Sequence, residues 1–133
     1  MSEKELCEQL SQSYDGNRNK FNFFVSWDSL RLTKKRLCEI ASIVGGKRLS
    51  LLMSNYCKDY KYWNHGMPDL ILWDPSTGRV KFSEVKSEND RLSEVQRAWI
   101  AYLSQSQIEV EVCLVNRVLN GEEVIDVFTE QIN

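Results

Sequence analysis

The sequence predicts one α/β domain, a mixed central sheet flanked by helices, and three observations carry that prediction. Two short apolar runs, Leu70-Ile71-Leu72-Trp73 and the stretch ending in Glu84-Val85-Lys86, are joined by Asp74-Pro75-Ser76-Thr77-Gly78, whose proline, glycine and short polar side chains suit a turn between paired strands. Residues 108–115 alternate as a third strand would, with Ile108, Val110, Val112 and Leu114 on one face. A segment of helical periodicity lies between, so the order strand, hairpin strand, helix, strand calls for a crossover connection and a covered sheet. A chain of 133 residues suffices for a single domain, which buries roughly two-thirds of the surface exposed by its unfolded form.

The other elements follow in chain order. Residues 3–12 read as a helix. Residues 19–27, rich in aromatic and β-forming types (Phe21, Phe23, Phe24, Val25), are expected to enter the core as an extended segment or short turn. Thr33 suits a helix N-cap, Leu37, Ile40, Ala41 and Val44 follow at helical spacing, and Gly45-Gly46 can stop that helix with a positive φ. A further helix is expected over about residues 47–56. Tyr60, Tyr62, Trp63 and His65 then form an aromatic, polar connection, exposed enough to touch substrate, and Gly66 permits a tight approach to the strand at Pro68-Asp69. A local ion pair between Asp90 and Arg91 would fix the turn before the crossover helix, although Arg91 could instead reach phosphate. Ser93 and Gln96 match a capping box, and Val95, Trp99, Tyr102 and Leu103 mark the buried stripe of that helix. Trp99 and, in the third strand, Cys113 are expected to be interior.

The apolar and charged fractions, 42% and 27%, are ordinary for a globular protein. No apolar run approaches the ~20 residues that span a bilayer, and the opening Met1-Ser2-Glu3-Lys4-Glu5 lacks the basic and then apolar character of a secretory signal. The expectation is an intracellular protein with no membrane partner. Cys7, Cys38, Cys57 and Cys113 form no CxxC pair and His65 is the sole histidine, which argues against a zinc finger or a disulfide framework and for reduced, buried thiols.

The net charge of −2 conceals an uneven distribution. Arg31, Lys34, Lys35, Arg36, Lys47, Arg48, Lys58 and Lys61 are opposed between residues 31 and 61 only by Glu39 and Asp59, whereas Glu109, Glu111, Glu122, Glu123, Asp126 and Glu130 face only Arg117 near the carboxy terminus. A basic flank and an acidic one are expected. Lys34, Lys35, Arg36, Lys47, Arg48, Lys58 and Arg91 are candidate contacts to a phosphodiester backbone. The plainer alternative is that the lysines are the solvated faces of two helices.

The candidate chemistry lies on the hairpin. Alternation along a strand puts Glu84 and Lys86 on one face, while Val85 points to the other and leaves its backbone carbonyl free to ligate; Asp69, at the mouth of the first strand, could close the site. Oxygen donors without a histidine or thiolate partner select Mg²⁺ or Mn²⁺. Asp69, Glu84 and the Val85 carbonyl are the expected metal ligands. Lys86 would orient an attacking water or neutralise charge developing on phosphate. The expected reaction is phosphodiester hydrolysis without a covalent intermediate, and alanine at Asp69, Glu84 or Lys86 in an active full-length protein is expected to abolish cutting while leaving fold and DNA binding largely intact.

These residues also carry a family resemblance. The stretch Gly66-Met67-Pro68-Asp69-Leu70-Ile71-Leu72-Trp73, then Glu84-Val85-Lys86-Ser87-Glu88-Asn89-Asp90-Arg91-Leu92-Ser93, with Gln96 and Trp99 beyond, resembles the VRR-NUC domain of the PD-(D/E)xK nuclease superfamily, and in particular the nuclease domain of the Fanconi-associated nuclease family. Val25-Ser26-Trp27-Asp28, Gly45-Gly46 and Asp59-Tyr60 are also similar, so the resemblance covers about residues 25–118. It implies a restriction-endonuclease-like core, with residues 1–133 forming one VRR-NUC domain, the carboxy-terminal part of a longer protein. It further implies a metal-dependent, structure-selective DNA endonuclease and 5′-to-3′ exonuclease acting on branched or 5′-flapped DNA during interstrand crosslink repair in the nucleus, with ubiquitinated Fanconi pathway proteins as partners of regions absent from this chain. It implies a site role for Gln96, whose place three residues after Ser93 is explained equally by capping. The family also uses an upstream helical glutamate as a metal ligand. Glu8 and Glu39 stand on predicted helices, but neither has matching neighbours. The alternatives are therefore a non-cleaving nucleic-acid-binding module with an incomplete metal site, a stand-alone VRR-NUC resolvase of Holliday junctions, and, more remotely, a protein-interaction domain.

Overall fold

The computed structural model describes residues 2–20 and 33–115. The aromatic stretch over residues 21–27, Arg31 and the acidic residues beyond 115 lie outside the described residues.

Capping chemistry sets most helix starts. In α1 (Glu3–Asn17) the Ser2 hydroxyl accepts from the Glu5 N–H at 3.3 Å, and the Glu5 carboxylate accepts from the Ser2 N–H at 2.6 Å. That helix runs five residues past the expected end because Tyr14 is buried against the fold and the sequence offers no breaker before Asn17, Gly16 being tolerated inside the last turn. In α2 (Lys34–Val44) Thr33 accepts from the Arg36 N–H at 3.3 Å. Gly45, with φ of 81°, ends α2 and begins α3 (Gly46–Lys58), so a single residue supplies the sharp change of direction. The aromatic connection contains a four-residue helix, α4 (Tyr60–Trp63), which the sequence did not announce; the Asp59 carboxylate organises it by accepting from the Tyr62 N–H at 3.0 Å.

The hairpin of β1 (Leu70–Asp74) and β2 (Arg79–Ser87) is antiparallel, with Leu70 opposite Ser83 and Asp74 opposite Arg79. Its turn is built by Asp74, whose carboxylate accepts from the Ser76 N–H, the Ser76 hydroxyl and the Thr77 hydroxyl at 2.7–2.8 Å, and by Gly78 at φ of 66°. The crossover helix α5 (Glu94–Gln105) leads to β3 (Glu109–Val115), which pairs parallel with β2. The sheet order is β1-β2-β3, a mixed sheet with α2, α3 and α5 contributing to the core on one face.

That core joins Val80 and Phe82 of β2 to Trp99 and Leu103 of α5, Ile108, Leu52 of α3 and Val44 of α2. Trp99 is fully buried and stacks edge-on against Trp63 at 4.9 Å between ring centroids. The opposite face of the sheet carries Leu70 and Leu72, both exposed, and the ion pair Lys81–Glu111 at 2.8 Å. Cys113, expected in the interior, lies on this second face beside Val85 and is half-buried, because period-two alternation gives the core face to Val110, Val112 and Leu114.

Candidate active site

The carboxyl end of β2 brings the central residues together. Val80, Phe82, Glu84 and Lys86 share the helix-covered face, so Glu84 continues the row of core side chains and is only 1% exposed. Its Oε1 accepts from Lys86 Nζ at 2.9 Å and from Gln96 Nε2 at 2.5 Å. Its Oε2 is buried and has no hydrogen-bond partner among the described residues. Continuing the hairpin register by one residue sets Asp69 across from Glu84, and Asp69 Oδ2 accepts from the Val85 N–H at 2.9 Å. Asp69, Glu84, Val85, Lys86 and Gln96 therefore meet at one end of the sheet, under the first turn of α5.

Two features lock this end. The Gln96 amide makes both contacts between which the sequence could not choose: its Oε1 accepts from the Ser93 N–H at 2.9 Å as a capping box, while its Nε2 reaches Glu84. Gly66, at φ of 78°, lets the incoming loop pass so close to α5 that an added Cβ would meet Val95 Cγ1 at 2.9 Å and the Gln96 backbone nitrogen at 3.1 Å. The same loop is tied by the Trp99 indole N–H, which donates to the His65 carbonyl at 3.1 Å; the His65 ring itself lies against the Asn64 side chain at 2.7 Å.

Other expected site residues fall elsewhere. Asp90 makes no ion pair with Arg91 among the described residues; it accepts from the Ser87 N–H and hydroxyl at 3.1 and 2.7 Å, and the hydroxyl bond above all, then the N–H, holds its carboxyl below the usual range. Lys34 is held by Asp15 at 2.7 Å and Lys35 lies 3.6 Å from Glu39, so two of the anticipated phosphate contacts are matched by acids. Arg36, on the same helix, gives its backbone N–H to the Thr33 cap. Lys47 and Arg48 line a surface depression with Gln105 and Gln107, at the opposite end of α5 from Gln96 and on the order of 14 Å along the helix from it. Lys58 sits in the last turn of α3 and is exposed. The linear cluster of cations is thus not one patch beside the carboxylates. Arg97, which the sequence did not single out, lines one cleft with Lys86 and Arg91. The available signal was a cation in the first turn of a helix, where it opposes the helix dipole.

Of the two glutamates weighed as an upstream ligand, Glu39 accepts from the Trp73 indole at 3.3 Å, near the hairpin turn and away from Asp69, and Glu8 lies on α1 within 3.9 Å of Lys4. Neither joins the site. Among the described residues no three histidine, cysteine, aspartate or glutamate side chains gather to hold a metal. Two carboxylates with an unsatisfied buried oxygen, and no nitrogen or sulfur donor between them, nevertheless match Mg²⁺ or Mn²⁺, which take one or two carboxylates and keep much of their water.

A mixed sheet with a crossover helix, an aspartate at the head of one hairpin strand and a Glu-x-Lys at the end of the next together define the core of the PD-(D/E)xK class. Within it the chain belongs to the VRR-NUC domain family, which matches residues 1–117. The chain is similar to the Fanconi-associated nuclease 1 homolog of Schizosaccharomyces pombe, 41% identical over 99 residues that cover 74% of this chain and 14% of the relative. It is likewise similar to the Fanconi-associated nuclease 1 homolog of Oryza sativa, 43% identical over 98 residues (71% of this chain, 10% of the relative). The Homo sapiens Fanconi-associated nuclease 1 is 33% identical over 114 residues (85% and 11%). A crystal structure of paFAN1 bound to 2-nucleotide 5′-flap DNA with a gap superposes with a TM-score of 0.64 at 26% identity, covering 86% of this chain and 22% of that one. The chain spans only 10–14% of the length of these curated relatives.

Proposed function

We propose that this chain is the hydrolytic domain of a structure-selective, metal-dependent DNA nuclease that cuts phosphodiester bonds in branched or 5′-flapped DNA in the nucleus, in the repair of interstrand crosslinks. The substrate class and setting rest on the family and on the flapped DNA held by the structural relative. The observation that carries the chemistry is Glu84, a carboxylate with one oxygen fixed by Lys86 and Gln96 and the other buried without a partner among the described residues. Native structures rarely bury an unsatisfied carboxylate oxygen without a functional or ionic reason.

A divalent cation would supply polarisation of the scissile phosphate and easier deprotonation of the attacking water. Glu84 and Asp69 would hold that cation, with the Val85 carbonyl as a third oxygen donor. Asp69 is steadied by the Val85 N–H, so its carboxylate need not be ordered at the moment of binding. Lys86 Nζ, on a side chain only 13% exposed and 2.9 Å from Glu84, is placed to donate to a phosphate oxygen and offset the charge that develops there. Gln96 fixes the rotamer of Glu84 and touches no reacting atom in this arrangement. The proton balance is that of simple hydrolysis: water supplies the hydroxyl to phosphorus and the departing sugar oxygen takes up a proton.

The second reading, a module that grips DNA without cutting it, is favoured by one observation: the described residues contribute two carboxylates and no third. One experiment separates the two. Cleavage of an end-labelled 5′-flap duplex in Mg²⁺ or Mn²⁺ is expected from the parent chain and not from Asp69→Ala. Metal-dependent binding with no product, in this chain and in the longer protein alike, would leave only the module.

A further inference from the structure

A cleft of about 500 Å³ adjoins Lys86 on the side away from Asp69. Its floor is Leu92, Val112 and Leu114, and its cations are Lys86, Arg91 and Arg97. Val112 pairs with Glu84 and Leu114 with Lys86 across the β2–β3 ladder, so the cleft continues directly from the carboxylates onto β3. The only acid on its rim among the described residues, Asp90, is committed to Ser87. Unlike Lys34 and Lys35, neither Arg91 nor Arg97 forms an ion pair among the described residues. Two unpaired guanidinium groups above an apolar floor match a nucleotide unit: the planar forks bind phosphate oxygens two at a time, and Leu92, Val112 and Leu114 shelter the sugar or base.

We propose that Arg97, together with Arg91, holds a phosphate flanking the one presented to Lys86, so that the cleft fixes the strand's path away from the cut. This rests on the nuclease reading of the Asp69–Glu84–Lys86 site, and it makes Arg97 a positioning residue of this chain. The occupant is a DNA strand; a free nucleotide would need only the cleft, whereas a strand must also cross Lys86.

The test is fluorescence anisotropy with a labelled 5′-flap duplex and the full chain in EDTA, across a salt series. Removing one phosphate contact lowers the slope of log K against log salt by about 0.9, which is about fivefold in affinity at 0.15 M salt. Arg97→Gln is expected to show both changes, and Arg97→Lys to restore the slope. An unchanged slope and affinity in Arg97→Gln, or no binding by the parent chain, overturns the proposal. So does competition by a deoxynucleoside 5′-monophosphate that binds the parent as tightly as the duplex. Cleavage is read separately in Mg²⁺. Binding that depends on Arg97 without any cutting removes the nuclease reading alone, and cutting with binding indifferent to Arg97 removes the cleft alone.

Discussion

Lys86 and Glu84 form a pair whose two halves are not equivalent to remove. Glu84 is 1% exposed, so Lys86→Ala leaves a buried carboxylate without its counter-ion and is expected to cost roughly 3–5 kcal/mol of stability as well as activity. This revises the expectation that alanine at each site residue spares the fold: it suits Asp69, which is exposed, and not Lys86. Replacing both members, Glu84→Gln with Lys86→Met, is expected to recover most of the stability and none of the cutting. Urea denaturation of the two single variants and the double variant checks this; a Lys86→Ala chain as stable as its parent would mean that the pair contributes nothing to the fold. That Glu84 and Lys86 share one face was legible in the sequence because a strand places residues i and i+2 on one side whatever surrounds it, and the turn at Asp74–Gly78 placed Asp69 on the neighbouring strand. The Gln96 contact with Glu84 was not, since capping by itself explains a glutamine three residues after Ser93, and only folding α5 over β2 brings its second amide atom to the carboxylate.

Among the elements, the hairpin is the one whose local chemistry is most exposed to pH. The side-chain hydrogen bonds from Ser76, then Thr77, hold the Asp74 carboxyl at about 2, below its ordinary value of about 3.9. A group whose folded pKa is depressed stabilises the fold above its unfolded value and loses that contribution as pH falls through the folded one. Asp74→Ala is thus expected to melt below the parent at pH 7, with the gap narrowing between about pH 4 and pH 2. Thermal melts of both chains across that window test it; a gap that does not change with pH would assign the effect to the alanine backbone. Elements with a cap or a turn signal, α2, α5 and the hairpin, were readable in advance. Ends without a stop signal and very short elements were less so: α1, capped at Ser2, outran its expected end, and Tyr60–Trp63 is too short to show a periodic face, its only cue being Asp59.

For the whole molecule, the order of charges along the chain was a poor guide to their order in space. Lys34 and Lys35 meet Asp15 and Glu39, and Lys47 and Arg48 turn away at Gly45 to the far end of α5, while Arg91 and Arg97, twenty residues or more from any of them in the chain, gather beside Lys86. Pairing across helices is invisible in a linear reading, whereas the hairpin and the crossover were not, because turn chemistry and alternation mark them locally; which hairpin strand the third one joins came only from the structure. A last consequence comes from the single amide of Gln96, which is shared between the Ser93 N–H and Glu84. Whatever engages Glu84 must pull on the start of α5, so the backbone resonance of Ser93 becomes a built-in gauge of site occupancy, readable by nitrogen-15 NMR in a protein that turns over slowly or not at all. Titrating Mg²⁺ is expected to shift that resonance in the parent and leave it still in Glu84→Gln; a motionless Ser93 during Glu84-dependent binding would mean that the cap and the carboxylate are mechanically separate.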